Sequence, residues 1–365
     1  MKKAILYFSI FLSIFSCSPK EILIPQDENE TVFVGSRDNN FYALDAKTGI
    51  QKWVFQGRSG MSSSAISDGV VFVHSESSIL YALDILDGLK KWEFKTNSII
   101  KNSPFINKGT LYTAMGGSYN LVSRMYALDS KTGTQKWEFK SSGWINSKPI
   151  ITDDITYTRS FWSIVALNTK TGEEIWKYEK YGVENSNPTL LNGIIYFSSK
   201  NNIIGLDSKN GAIQKMFEIK NSQFPLLEIN DNKIYYEDDK NNIVCIDINT
   251  GKQIWSYPNS NATYNMTIEN ETIYFDSSKK MIALNADTGI KKWEFETGDV
   301  IFSLPIVANG FIYFGSRDKN LYALNSEDGK ERWHFTTKNS VESDPSVISK
   351  SGKVYYAGKN RLNQL

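Results

Sequence analysis

Cysteine and histidine are scarce in this 365-residue chain, with two of each. Cys17 and Cys245 are too few for a disulfide framework or a thiolate metal centre. His74 and His334 share no ligand spacing and read as packing or surface residues. Charge of one sign is missing too: 41 Lys and Arg against 40 Asp and Glu leave a net charge of +1. Without a basic field, nucleic acid is not an expected partner. No glycine-rich phosphate loop and no nucleophile elbow is present, so no catalytic residue is assigned. Metal-binding and cofactor-binding residues are not assigned either.

What is present is repetition. Ala43-Leu44-Asp45, Gly49 and Trp53 form a unit that returns as Ala82-Leu83-Asp84, Gly88 and Trp92. The turn glycines fall at 49, 88, 133, 172, 211, 251, 289 and 329. A period of about 40 residues marks a repeat architecture. Aromatics at 13% favour strands. In each unit an apolar run reads as a strand. An Asp or Asn then hydrogen-bonds its own turn, and Gly supplies the positive φ. Further strands precede this one. Residues 303–307 and 311–315 flank an Asn309-Gly310 hairpin turn, so each repeat holds four strands with short antiparallel connections.

The tryptophan at a fixed place in each repeat reads as a plug between neighbouring sheets. The expected plugs are Trp53, Trp92, Trp137, Trp176, Trp255, Trp293 and Trp333. Met216 takes the place in repeat five, after a one-residue insertion. Cys245 occupies a small-residue strand position and reads as a buried, inert thiol.

Residues 1–16 read as a signal peptide: Lys2 and Lys3 precede an apolar core, Ala4 to Phe15, too short to span a bilayer. Ile14-Phe15-Ser16-Cys17 resembles a bacterial lipobox. The resemblance implies cleavage before Cys17 and lipid attachment to its sulfur. Ser18 follows in place of the Asp that retains enterobacterial lipoproteins at the inner membrane, which implies the outer membrane. Residues 17–30 read as a flexible tether, and residues 31–365 as the repeat body.

The unit Ser-x-Pro, Val-Tyr-x-Gly-Ser and Leu-Tyr-Ala-Leu-Asp-x-x-Thr-Gly-x-x-x-Trp resembles the repeat of quinoprotein-type (PQQ-like) β-propellers. That resemblance implies an all-β, eight-bladed propeller of four-stranded antiparallel blades docked by tryptophan. The strands do not divide evenly. The C-terminus supplies an extra first strand, 344–348, and second strand, 353–357, some of which must pair with N-terminal strands to close the ring. A ninth, composite blade would follow if residues 21–25 formed an outer strand. The quinone enzymes of the superfamily stack their cofactor on a disulfide between adjacent cysteines, which this chain lacks. Without a catalytic site, a tethered propeller resembles the BamB family of outer-membrane assembly factors. This implies a non-enzymatic scaffold for the outer-membrane β-barrel assembly machinery, with the membrane reached through the lipid anchor. A glycan- or small-molecule-binding sensory propeller is the alternative, and a PQQ-dependent dehydrogenase a third.

Departures from the repeat point to a binding face, because insertions gather on one end. Tyr119 and Leu121 lie in a long turn of repeat three, and Trp144 on the link to repeat four. Arg159, Phe161 and Trp162 lie at the equivalent turn of repeat four. Turns between second and third strands share an end with the links between blades, so these six residues are expected either to form a partner-binding patch or to fold inward and plug the channel mouth. Exposed aromatics beside Arg have the composition of interaction hot spots.

Overall fold

The computed structural model describes residues 30–96, 103–115, 122–141, 143–145, 147–160, 162–180, 187–199, 201–219, 227–261, 263 and 265–356. The signal peptide, Cys17, nearly all of the tether, and Tyr119, Leu121 and Phe161 lie outside them. Within them the chain is all β, with no helix, in eight antiparallel sheets. Seven sheets hold four strands in sequence order. In blade 8 these are Ile306–Ala308, Phe311–Gly315, Asn320–Asn325 and Glu331–Thr336. First strands of neighbouring blades touch one another, so the first strand is innermost and the fourth forms the rim.

The joints between blades follow from one local motif. Asp45 Oδ1 accepts from the backbone N–H groups of Lys47 and Thr48 at 3.1 and 2.8 Å, fixing the turn. Gly49 closes the turn at a φ of +72°. Its bare Cα also lets the Trp333 ring of the preceding blade lie against it, for a Cβ there would come within 2.8 Å of the ring. Only glycine meets both demands. The indole Nε1 of Trp333 then donates to Ala46 O at 3.1 Å.

The contact recurs from blade to blade. Trp53 donates to Ile85 O, Trp92 to Ser130 O, Trp137 to Thr169 O and Trp176 to Ser208 O. Trp255 donates to Ala286 O and Trp293 to Ser326 O. Because Trp333 of blade 8 reaches Ala46 of blade 1, the joints run full circle. Each indole removes about 150–250 Å² from water, on the order of 4–6 kcal/mol as an upper bound.

Blade 5 departs from the expectation. Met216 is not the plug: it is 58% exposed on the rim. The register pairs Gly205 with Lys215, as Ala43 pairs with Trp53. Lys215 therefore holds the tryptophan position, four residues after the turn glycine, and no residue is inserted. Its Nζ donates to Ile248 O at 3.2 Å, the acceptor an indole would use. Phe217 covers the turn glycine of the next blade, Gly251, in place of an indole.

Ring closure uses both chain ends. Thr31–Gly35 pairs with Ser346–Ile348, which becomes the innermost of the four basic strands of blade 1. Val354–Tyr356 then adds a fifth strand on the axial side of that one. The expected second strand at 353–357 is thus not part of a further blade but lies inside the ring. Tyr356 meets Phe105 of blade 3 edge-on at 6.2 Å, and Tyr355 donates to Asn309 Oδ1 of blade 8 at 3.3 Å. Cys245 is buried and free, and burial pushes its thiol up to about 12.

Candidate interaction face

The links between blades and the turns between second and third strands share one end of the ring. Here the link from blade 3 to blade 4 is fastened to the turn of blade 4. Ile145 bridges Ser160 in an isolated antiparallel pair. The hydroxyls of Ser141 and Ser160 share a hydrogen bond of 2.5 Å. Trp144, half-buried, thereby stands next to the bridge, and Trp162 lies two residues beyond Ser160 with 37% of its surface exposed. Lys180 N donates to Trp162 O at 2.9 Å and holds the turn from the other side.

Arg159 does not join this patch at the surface. It is 3% exposed, and its backbone N–H donates to Ser147 Oγ at 3.0 Å. The cause is its place on the second strand. At the equivalent Gly35 a Cβ would come within 2.4 Å of Met61 O, and at Gly315 within 2.4 Å of Val341. This position faces the adjoining link, so whatever side chain stands there is buried. Blades 2, 6 and 7 put His74, Glu237 and Asp276 at it, blades 3 and 5 Ala114 and Ser198, and all five are buried.

That row carries the main electrostatic perturbation at this end. Glu237 is pushed up to about 8, first by burial and then by the neighbouring charges of Asp276 and Asp238. Thr263 N donates weakly to both of its oxygens at 3.4 Å. Asp276 accepts from Asn265 N at 2.6 Å. His74 Nε2 shares a 2.9 Å hydrogen bond with Thr113 Oγ1. Sequence reading missed this row because each member looks like an isolated polar residue. The signal was available in their glycine siblings.

The axis is crossed at the same end. Asp344 Oδ1 accepts from Leu304 N of blade 8 at 2.8 Å, and Asp344 N donates to Ser63 Oγ of blade 2 at 2.7 Å. Its Oδ2 accepts from Ser103 of blade 3 at 3.5 Å and from Lys148 Nζ of blade 4 at 3.4 Å. One residue, through its carboxylate and its backbone N–H, thus ties blades 8, 1, 2, 3 and 4 together across the channel mouth, and the Val354–Tyr356 strand lies on the axial side of blade 1, reaching blades 3 and 8. These residues do not fit a quinone: the only described cysteine, Cys245, sits within a strand, and Tyr355 and Tyr356 of the axial strand reach blades 8 and 3. Among the described residues no group of three or more His, Cys, Asp or Glu is placed to hold a metal.

The sequence model of the family described as outer membrane protein assembly factor BamB matches residues 97–232 and 220–362. No curated protein sequence matches the chain. Among solved structures, BamB from Moraxella catarrhalis is similar over 80% of this chain and 95% of its own, with 17% identity and a TM-score of 0.65. AztD from Citrobacter koseri covers 89% of this chain and 99% of its own, at 10% identity and a TM-score of 0.66. A europium-containing methanol dehydrogenase covers 89% and 80%, at 15% identity and a TM-score of 0.51. At these identities the structural likenesses establish the propeller fold.

Proposed function

We propose a function from one premise: this chain belongs to the family of outer membrane protein assembly factor BamB. The reading is a non-enzymatic, lipid-anchored scaffold of the cell envelope. It sits at the outer membrane facing the periplasm and holds a protein of the β-barrel assembly machinery. Cys17 carries the lipid, and the segment up to residue 30 spaces the ring from the membrane.

The observation that carries the reading is Trp162, 37% exposed, beside Trp144 on one end of the ring. Both are held by a fastened link and turn. Aromatic side chains on a rigid frame lose little entropy on docking, which makes them effective anchors. Arg159, being buried, is not part of the exposed surface offered to a partner. The axial strand Val354–Tyr356, set across the ring from blade 8 to blade 3, favours recognition by the surface loops over a glycan or small molecule held in the channel.

The test is copurification of the full-length protein with an outer-membrane barrel assembly protein. Trp144→Ala and Trp162→Ala are each expected to weaken the complex about tenfold or more. A complex unaffected by both changes, or no complex with the wild type, refutes the reading. Cys17→Ser is expected to release the protein from the membrane fraction.

A further inference from the structure

The outer strand of every blade has one hydrogen-bonded neighbour, so its other edge offers unpaired backbone groups. Such edges template pairing unless charge blocks it. Most rims here are blocked: Lys90–Lys95 reads KKWEFK and Lys291–Glu296 reads KKWEFE. Blades 5 and 6 are not. Their outer strands are Ile213–Glu218, IQKMFE, and Gln253–Tyr257, QIWSY. Lys215 is turned into the joint, so the first strand shows Ile213 and Met216 with Glu218 alone as an exposed charge. On the second, Ile254 is exposed and no charge is present. Val54 of blade 1 is also exposed, but between the charged rims of blades 8 and 2.

We propose that the rims of blades 5 and 6 form a docking edge for an extended polypeptide segment with apolar side chains at alternating positions, which adds to the outer strand as a further antiparallel or parallel strand. Backbone donors and acceptors along the edge supply the pairing, and Ile213, Met216 and Ile254 supply apolar contact. A second copy of the chain is a poor occupant. Two rigid, convex rings meet along one six-residue edge, about 20 Å long, and fall well short of the roughly 1,200–2,000 Å² of a stable interface. A flexible segment follows the edge without that limit. The two rims also flank the joint held by Lys215 and Phe217 in place of an indole. The proposal stands apart from the Trp144 and Trp162 reading.

The test uses the full-length protein and a fluorescein-labelled ten-residue peptide of alternating Val and Thr with lysines at its ends. A second peptide carries proline at alternate positions, which removes its backbone donors. Fluorescence anisotropy is expected to show binding of the first peptide and loss of at least tenfold with the second. The Met216→Lys/Ile254→Lys pair, and Met216→Glu in its own right, should each weaken binding tenfold or more with unchanged circular dichroism and Tm. Trp144→Ala should leave it unchanged. Failure of the wild type to bind, equal binding by the proline peptide, or insensitivity to the rim variants overturns the proposal. So does a sedimentation profile showing a dimer that Met216→Lys dissolves, since the edge would then belong to a second copy.

Discussion

Removing one indole and removing the lysine that stands in for one should have very different consequences. Trp293 is 7% exposed, lies on Gly329 and meets Tyr274 at 5.8 Å. Truncation to Ala removes a large buried ring and leaves a cavity, about 3–5 kcal/mol. Ser326 O keeps a donor, because Tyr274 OH also reaches it at 3.1 Å, so no unsatisfied carbonyl adds to that figure. Lys215→Ala removes a half-buried amine from Ile248 O, about 1 kcal/mol. An unfolding entropy of about 2.1 cal/mol/K per residue gives the ring roughly 0.7 kcal/mol/K. Trp293→Ala should therefore lower Tm by about 6 °C and Lys215→Ala by about 1–2 °C, both read by differential scanning calorimetry. Equal shifts for the two variants, or a shift under about 2 °C for Trp293→Ala, would refute the view that the indoles fasten the blades.

Gly289→Ala should destabilise well beyond the backbone cost of about 1–2 kcal/mol, because its φ is +69° and a Cβ would lie 2.7 Å from Trp255; Gly310→Ala, at φ +81° with nothing within 4 Å, should show the backbone cost alone by urea titration. Glu237 holds its proton in the folded state up to about pH 8, so between its unfolded value near 4.5 and that pH the folded state binds more protons and stability falls as pH rises. Glu237→Gln should flatten the dependence of Tm across that window and raise Tm most at its upper end. Val347→Asp places a charge at a fully buried position of the closing strand and should abolish cooperative thermal unfolding.

The parts of the fold that local chemistry dictates were legible. The Asp-to-Gly turn, the indole four residues later and the strand alternation each follow from residues adjacent in sequence. Met216 was misassigned because an apolar residue was sought where spacing alone should have decided. The interval from Gly211 to Lys215 equals that from Gly49 to Trp53, and a lysine amine replaces the indole N–H. Arg159 was expected at the surface because it lies near a turn. Its burial follows from its register position, which at Gly35 and Gly315 lies against the adjoining link, a contact between segments that no single repeat reveals. The axial strand was hidden for the same reason. Val354–Tyr356 has the composition of an ordinary second strand, and its position is decided by the one free edge that ring closure leaves inside blade 1.

The clasp between Thr31–Gly35 and Ser346–Ile348 sets a timetable for the molecule's birth. The earliest of the described strands waits for one of the latest, so seven blades can assemble while blade 1 still lacks its inner strand and shows a bare edge there. A chain cut short in synthesis or trimmed near its end would keep most of its blades and still lack a finished rim. Closure of the ring is therefore tied to the arrival of Ser346–Ile348.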